Sequence, residues 1–119
     1  MLIHVVLLKP RPDLTETERQ TFVGAFERAM RDIPSVRGVR VGKRVTHGAG
    51  YEQTAPDAAD FVGMIEFEDL SGLQEYLRHP AHEEVRTLFH TSLAGAMVYD
   101  FEMSGLEDLP RLILPDLPD

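Results

Sequence analysis

Apolar and polar residues alternate in two rhythms along this chain, and the changes of rhythm mark its elements. Leu2 to Leu8 is a short β-branched and leucine-rich run around His4. A continuous apolar run of this length predicts a strand covered on both faces. Lys9-Pro10-Arg11-Pro12-Asp13 breaks it. Thr15 and Glu18 then have the spacing of a capping box. Phe22, Ala25, Phe26, Ala29, Met30 and Ile33 follow at helical spacing, with Glu27 and Arg31 as an i,i+4 pair on the outer side. Pro34 disfavours helical geometry at Ile33 and ends that helix. From Val36 to Thr46 the period is two, with Val39, Val41, Lys43 and Val45 on one face and Gly38, Arg40, Gly42 and Arg44 on the other.

His47 to Asp60 carries the glycine, proline and polar content of a long loop. Phe61 to Phe67 is a third strand, with Phe61, Gly63, Ile65 and Phe67 facing one way. Asp69 caps the next helix, whose apolar stripe is Leu70, Leu73 and Leu77 with Tyr76 beside it. The helix is interrupted at His79-Pro80. Proline is favoured in the first helical position, so a new helix starts there with His79 at its cap, lined by Val85, Leu88, Phe89 and Leu93. Ala96 to Met103 is the last strand; Met97, Tyr99, Phe101 and Met103 share one face, and the Met and Phe residues read as core. The order predicts an α+β fold, a ferredoxin-like βαββαβ protomer with a four-stranded antiparallel sheet. Helices cover only one face of such a sheet. Apolar residues on both faces of several strands therefore predict a homodimer through the open sheet face, unless a loop or the tail covers it.

Composition narrows the setting. At 119 residues the chain is long enough for one domain with one core. It has no cysteine, which removes disulfides, thiolate metal sites and cysteine nucleophiles and fits a cytoplasmic protein. The net charge is −8, of which residues 104–119, with four acids and one base, contribute −3 and the remainder −5. An acidic chain disfavours nucleic acid and anionic membrane as partners. Arg37, Arg40, Lys43 and Arg44 form the only basic cluster. The apolar N-terminus lacks the basic flank and cleavage site of a signal peptide, and no run is long enough for a membrane span.

Candidate chemistry concentrates in Tyr76-Leu77-Arg78-His79-Pro80-Ala81-His82, which holds two of the five histidines. His82 has the near-neutral imidazole of a general base and Tyr76 the hydroxyl of a hydrogen-bond donor. The plainer reading has His79 capping a helix and His82 on its exposed first turn. His4, alone in an apolar strand, is either a hydrogen-bonded core residue or a polar group lining a lumen. Lys43 on the valine face either takes part in a site or packs its stem while its ammonium reaches water. His79 and His82 are too few to define a metal site. Gly38 to Lys43 is one residue short of a P-loop and lacks the hydroxyl after the lysine. No Gly-x-Ser-x-Gly elbow and no Rossmann fingerprint is present.

Together, His4 to Lys9, Val39 to Thr46 with Gly42-Lys43, Phe67 to Leu70, Tyr76 to His82 and Asp100-Phe101-Glu102 resemble the stress-responsive dimeric α/β-barrel (Dabb) family. The resemblance spans residues 1–103 and leaves 104–119 as an acidic tail rich in proline and leucine, either an arm that docks on a neighbour or a free end. It implies a dimer whose two sheets face each other as a barrel. A plant cyclase of this family closes a linear polyketide by an aldol-type condensation without metal or cofactor. The histidine and tyrosine it uses match His82 and Tyr76 here, and His4, Lys43 and His79 match positions around its pocket. The longer loop from His47 to Asp60 and the added tail depart from that cyclase and leave the substrate open. The resemblance thus implies a cofactor-free enzyme of small molecules, carrying out aldol/Claisen-type cyclisation or another proton transfer. The alternative is a non-enzymatic, stress-linked ligand-binding or structural dimer. Cofactor-independent oxygenation, known in other dimeric α/β barrels, ranks last because no residue set points to oxygen.

Overall fold

The computed structural model describes residues 1–57 and 59–114; Ala58 of the long loop and 115–119 of the expected tail lie outside the described residues. Four strands, β1 (Leu2–Pro10), β2 (Gly38–Lys43), β3 (Phe61–Phe67) and β4 (Leu93–Glu102), form one sheet in the order β2-β3-β1-β4. Every pairing is antiparallel. The helices are α1 (Glu16–Asp32), α2 (Leu70–Arg78), α3 (Pro80–Ser92) and the short α4 (Leu109–Ile113). This is the α+β, ferredoxin-like arrangement expected from the order of elements.

Local chemistry places the helices where the pattern put them. The Thr15 hydroxyl accepts from the Glu18 amide at 3.1 Å, and the Glu18 carboxylate accepts from the Thr15 amide at 3.0 Å, the reciprocal bonds of a capping box. Asp69 accepts from the Gly72 amide at 3.0 Å at the start of α2. Pro80 is the first residue of α3, where its missing amide hydrogen costs nothing.

The period of two on β1 divides the sheet into faces. Leu2, His4 and Val6 stand opposite Phe67, Ile65 and Gly63 of β3 and opposite Glu102, Asp100 and Val98 of β4. This face meets the helices. Leu2, Ile65 and Phe67 join Ala25, Ala29, Ile33, Leu73, Tyr76 and Val85 in the buried core. Phe22 of α1 stacks on Phe89 of α3 at 5.5 Å between ring centroids. An ion pair from Arg28 to Glu84 at 2.6 Å joins the same two helices.

Four features differ from the sequence pattern. Strand β2 is shorter than the alternating run from Val36 to Thr46, because its partner β3 supplies a ladder only from Phe61 to Phe67. On α2 the buried pair is Leu73 and Tyr76, while Leu70 and Leu77 are exposed; the helix meets the core along one i,i+3 line. Phe101 and Met103, which the sequence pattern assigns to the core, are about half exposed, as is Tyr99, because β4 is an edge strand and Tyr99 and Phe101 lie on the face turned from the helices. Arg31 pairs with Asp32 at 3.5 Å, not with Glu27.

Phe67 is fully buried at the centre of the core. Replacing it with alanine removes a large side chain that cannot be compensated by collapse. Phe67→Ala is expected to lower unfolding free energy by about 3–5 kcal/mol in urea titrations; a loss below 1 kcal/mol would mean that this layer is not the core.

Candidate active site

The strand alternation and the helix break bring three of the predicted residues together. His4 arrives from central strand β1, Tyr76 from the last turn of α2 and His82 from the first turn of α3. Their rings form a chain. Tyr76 meets His4 edge-on at 5.7 Å between centroids and meets His82 at 4.6 Å. Phe67 backs Tyr76 at 5.1 Å. Tyr76 is 2% exposed and His4 5%, whereas His82 is half-buried.

A fourth residue completes the cluster. Asp100 of β4 stands opposite His4 in the strand register, and its Oδ1 lies 2.6 Å from His4 Nδ1. An ionised carboxylate only accepts, so Nδ1 carries the hydrogen and the imidazole is held in one orientation. Sequence reasoning included Asp100 in a resemblance but gave it no role. The available signal was an acid on the helix-facing side of an apolar strand, in register with a buried histidine.

Burial sets the protonation of the other two groups. It pushes the Tyr76 phenol well above its ordinary range, so the hydroxyl stays a donor. Burial also lowers His82 below its ordinary value of 6.5, and neighbouring His4 acts in the same direction; Glu83 and the backbone of Leu77 oppose. His82 Nδ1 is buried without a hydrogen-bond partner. The structure thus sets a neutral imidazole with an unengaged ring nitrogen in edge contact with a protonated phenol.

His79 and Lys43 occupy different positions. His79 Nδ1 accepts from the Ala81 amide at 3.0 Å, so the side chain caps α3. Lys43 lies at the end of β2, away from the ring chain, and lines an open groove of about 1040 Å³ between α1 and the helix-facing side of β2, β3 and β1. The groove is almost wholly apolar; Val6, Phe22, Phe26, Val41 and Phe89 are among its walls. Tyr76 and His82 are not. Glu27 and Arg31, expected on the outer side of α1, also border it. Among the described residues no group of three His, Cys, Asp or Glu side chains is arranged to hold a metal ion. No helix among them is long and apolar enough to cross a membrane.

The pattern of the stress responsive A/B barrel domain (Dabb) matches residues 2–103, and the chain belongs to that family. It is similar to olivetolic acid cyclase from Cannabis sativa, with 22% identity over 98 residues that span 82% of this chain and 92% of the cyclase. Among solved structures it is similar to a dimeric ferredoxin-like protein of unknown function from Thermobifida fusca, with TM-score 0.66, 19% identity and coverage of 86% and 90% of the two chains. The hydroxynitrile lyase of Passiflora edulis has a TM-score of 0.72 at 11% identity, with coverage of 87% and 93%.

The lowered His82 pKa has a consequence for stability. Above pH 6.5 the imidazole is neutral in both folded and unfolded chains. As pH falls through 6.5, the unfolded chain takes up a proton that the folded site resists, so stability declines. The decline levels off below the folded value. Urea denaturation of the wild type between about pH 7.5 and pH 5 should show a steeper loss than His82→Gln. Parallel profiles would mean that His82 is not protected from protonation.

Proposed function

We propose that this Dabb-family chain is a small-molecule enzyme that removes a proton from carbon next to a carbonyl, in a cyclisation or lyase-type reaction. The observation that carries this reading is the ring chain itself, with a neutral His82 imidazole in edge contact with Tyr76, whose hydroxyl burial keeps protonated. His82 takes the α-proton as general base. Tyr76 donates a hydrogen bond to the enolate oxygen as charge develops there. The carbanion attacks an electrophilic carbon, and the proton held by His82 passes to the alkoxide formed. His4 is a positioning residue: Asp100 fixes its ring, and its ring supports Tyr76. The apolar groove begins at Val6, one position along the same face from His4, and accommodates the apolar part of the substrate. Lys43 and His79 are left out of the reaction centre, the first by its distance along β2 and the second by its capping bond. The similarity to a cyclase and to a lyase supports carbonyl chemistry as the reaction class.

The test is exchange of α-hydrogen from a straight-chain methyl ketone into D₂O, followed by proton NMR. The full chain should accelerate exchange. His82→Ala should lower the catalysed rate by about 10²–10⁴-fold, and Tyr76→Phe by about 10²-fold. Equal rates in wild type and His82→Ala would sink the reaction.

One observation favours a second reading, a non-enzymatic dimer in which the ring chain is structural. Tyr76 and His82 do not line the groove, Tyr76 is buried and His82 is half-buried. The same exchange experiment separates the two, since a structural cluster gives no acceleration at all.

In either reading we infer a homodimer through the open sheet face. Support comes from the half-exposed Tyr99 and Phe101 on that face and from dimeric structural relatives. Phe101→Glu places a charge in such an interface and is expected to yield monomers by light scattering. A dimer unaffected by both Phe101→Glu and Tyr99→Glu would point to another face.

A further inference from the structure

The segment after β4 lies outside the family match, which ends at residue 103. Its described part, Leu106 to Leu114, folds into two short turns that rest on little else. Leu106 is 82% exposed and Ile113 67%, and Leu112 and Leu114 are more than half exposed. Exposed apolar side chains in this density mark a contact surface. The segment also carries Glu107 and Asp108, which form no ion pair among the described residues.

The groove between α1 and β2 is its complement. Val41 is 73% exposed, and Val23 and Val39 on the rim are also exposed. At one end stand Lys43 and Arg19, both without an ion pair among the described residues. Glu27 and Arg31 border the other end and offset one another in sign. The volume of about 1040 Å³ is at the upper limit of pockets for small ligands, about 300–1,000 Å³. From Arg19 to Arg31 the groove runs about 18 Å along α1. The nine residues from Leu106 to Leu114 reach up to about 30 Å when extended, enough to cover its full length.

We propose that the C-terminal arm, Leu106 to Leu114, docks in the α1–β2 groove of a second copy of this chain. Leucines of the arm cover Val23, Val39 and Val41, and Glu107 and Asp108 pair with Lys43 and Arg19. No residue of the arm lines the groove of its own chain. Strand β4 ends at Glu102, opposite Leu2, on the sheet edge remote from β2. β1 and β3 intervene, a lateral distance of about 14 Å, and the helix layer stands over those strands. The amide of Met103 is tied to the carbonyl of Met1 at 2.9 Å, which fixes the arm's departure at that edge. The docked arm would supply the wall that the groove lacks. The arm covers the exposed rim at Val23, Val39 and Val41 and leaves the deeper walls at Val6, Phe22 and Phe89 to the apolar part of a substrate; the disulfides below report the arm's placement whether or not the proposed reaction occurs.

The absence of cysteine makes the test direct. Full-length chains carrying Val41→Cys or Leu112→Cys are mixed and mildly oxidised, and disulfides are read on non-reducing gels and by peptide mass spectrometry. The expected result is a Val41→Cys to Leu112→Cys dimer in excess over both homodimeric disulfides. Lys43→Glu in the groove chain should reduce that product, and Glu107→Lys in the arm chain should restore it. A second pair, Val23→Cys with Leu109→Cys, guards against poor thiol geometry at the first. In a chain carrying both Val41→Cys and Leu112→Cys, the bond should join two molecules. A bond within one molecule, or no preference for the mixed product in either pair, overturns the proposal. So does a groove that takes up a long-chain carboxylate with equal affinity whether or not Leu112 and Ile113 are replaced by Asp, since an arm that walls the groove would alter that uptake.

Discussion

A buried imidazole on the central strand is the constraint around which this fold is arranged. His4 is nearly inaccessible, and an unsatisfied polar ring there would cost about 1–3 kcal/mol. The register between β1 and β4 answers that cost by setting Asp100 opposite His4. The pairing depends on β4 lying beside β1, which is a property of the split βαβ topology. Once His4 is held, Tyr76 packs against it, and His82 packs against Tyr76. The strand register thus determines the orientation of a ring chain whose members come from three separate elements.

The helix break at His79-Pro80 is the second determinant. A continuous helix from Leu70 to Ser92 would carry Tyr76 and His82 on sides of one cylinder about 120° apart, at about 100° per residue. The break lets α3 start in a new direction, so that the two rings meet. His79 provides the cap that makes the break inexpensive, with its ring nitrogen bound to the Ala81 amide. A histidine noted for its possible chemistry acts here as a joint, and its neighbour three residues on gains its position from that joint.

Among the described residues, apolar surface is left uncovered in three places: the open face of the sheet, the groove beside β2, and the segment from Leu106 to Leu114. A four-stranded sheet with one helix layer cannot cover its second face from within, so Tyr99 and Phe101 remain half exposed although the sequence pattern assigns Phe101 to the core. The groove arises because α1 packs towards α3, through Phe22 with Phe89 and Arg28 with Glu84, and leaves the edge strand β2 bare. These surfaces are the physical reason for expecting a second copy of the chain.

Much of this was legible in the residues alone. The capping box at Thr15, the cap at Asp69, the stop at Pro34 and the proline that opens α3 are local signals, each decided within a few residues by hydrogen bonding and sterics, so composition and spacing determine them. Period two determines which side chains share a face of a strand, and so placed His4 among apolar residues. What spacing could not decide is which faces meet. The partnership of His4 with Asp100 spans 96 positions and exists only through strand register. The burial of Tyr76 rather than Leu77 follows from which line of α2 packs on the core, the one shared with Leu73. Lys43 and His82, both marked as candidates, end in different places because β2 is an edge strand and α3 is central to the helix layer. Local energetics sets the elements; only packing, which sums weak contacts between distant parts of the chain, sets which of their side chains form a site.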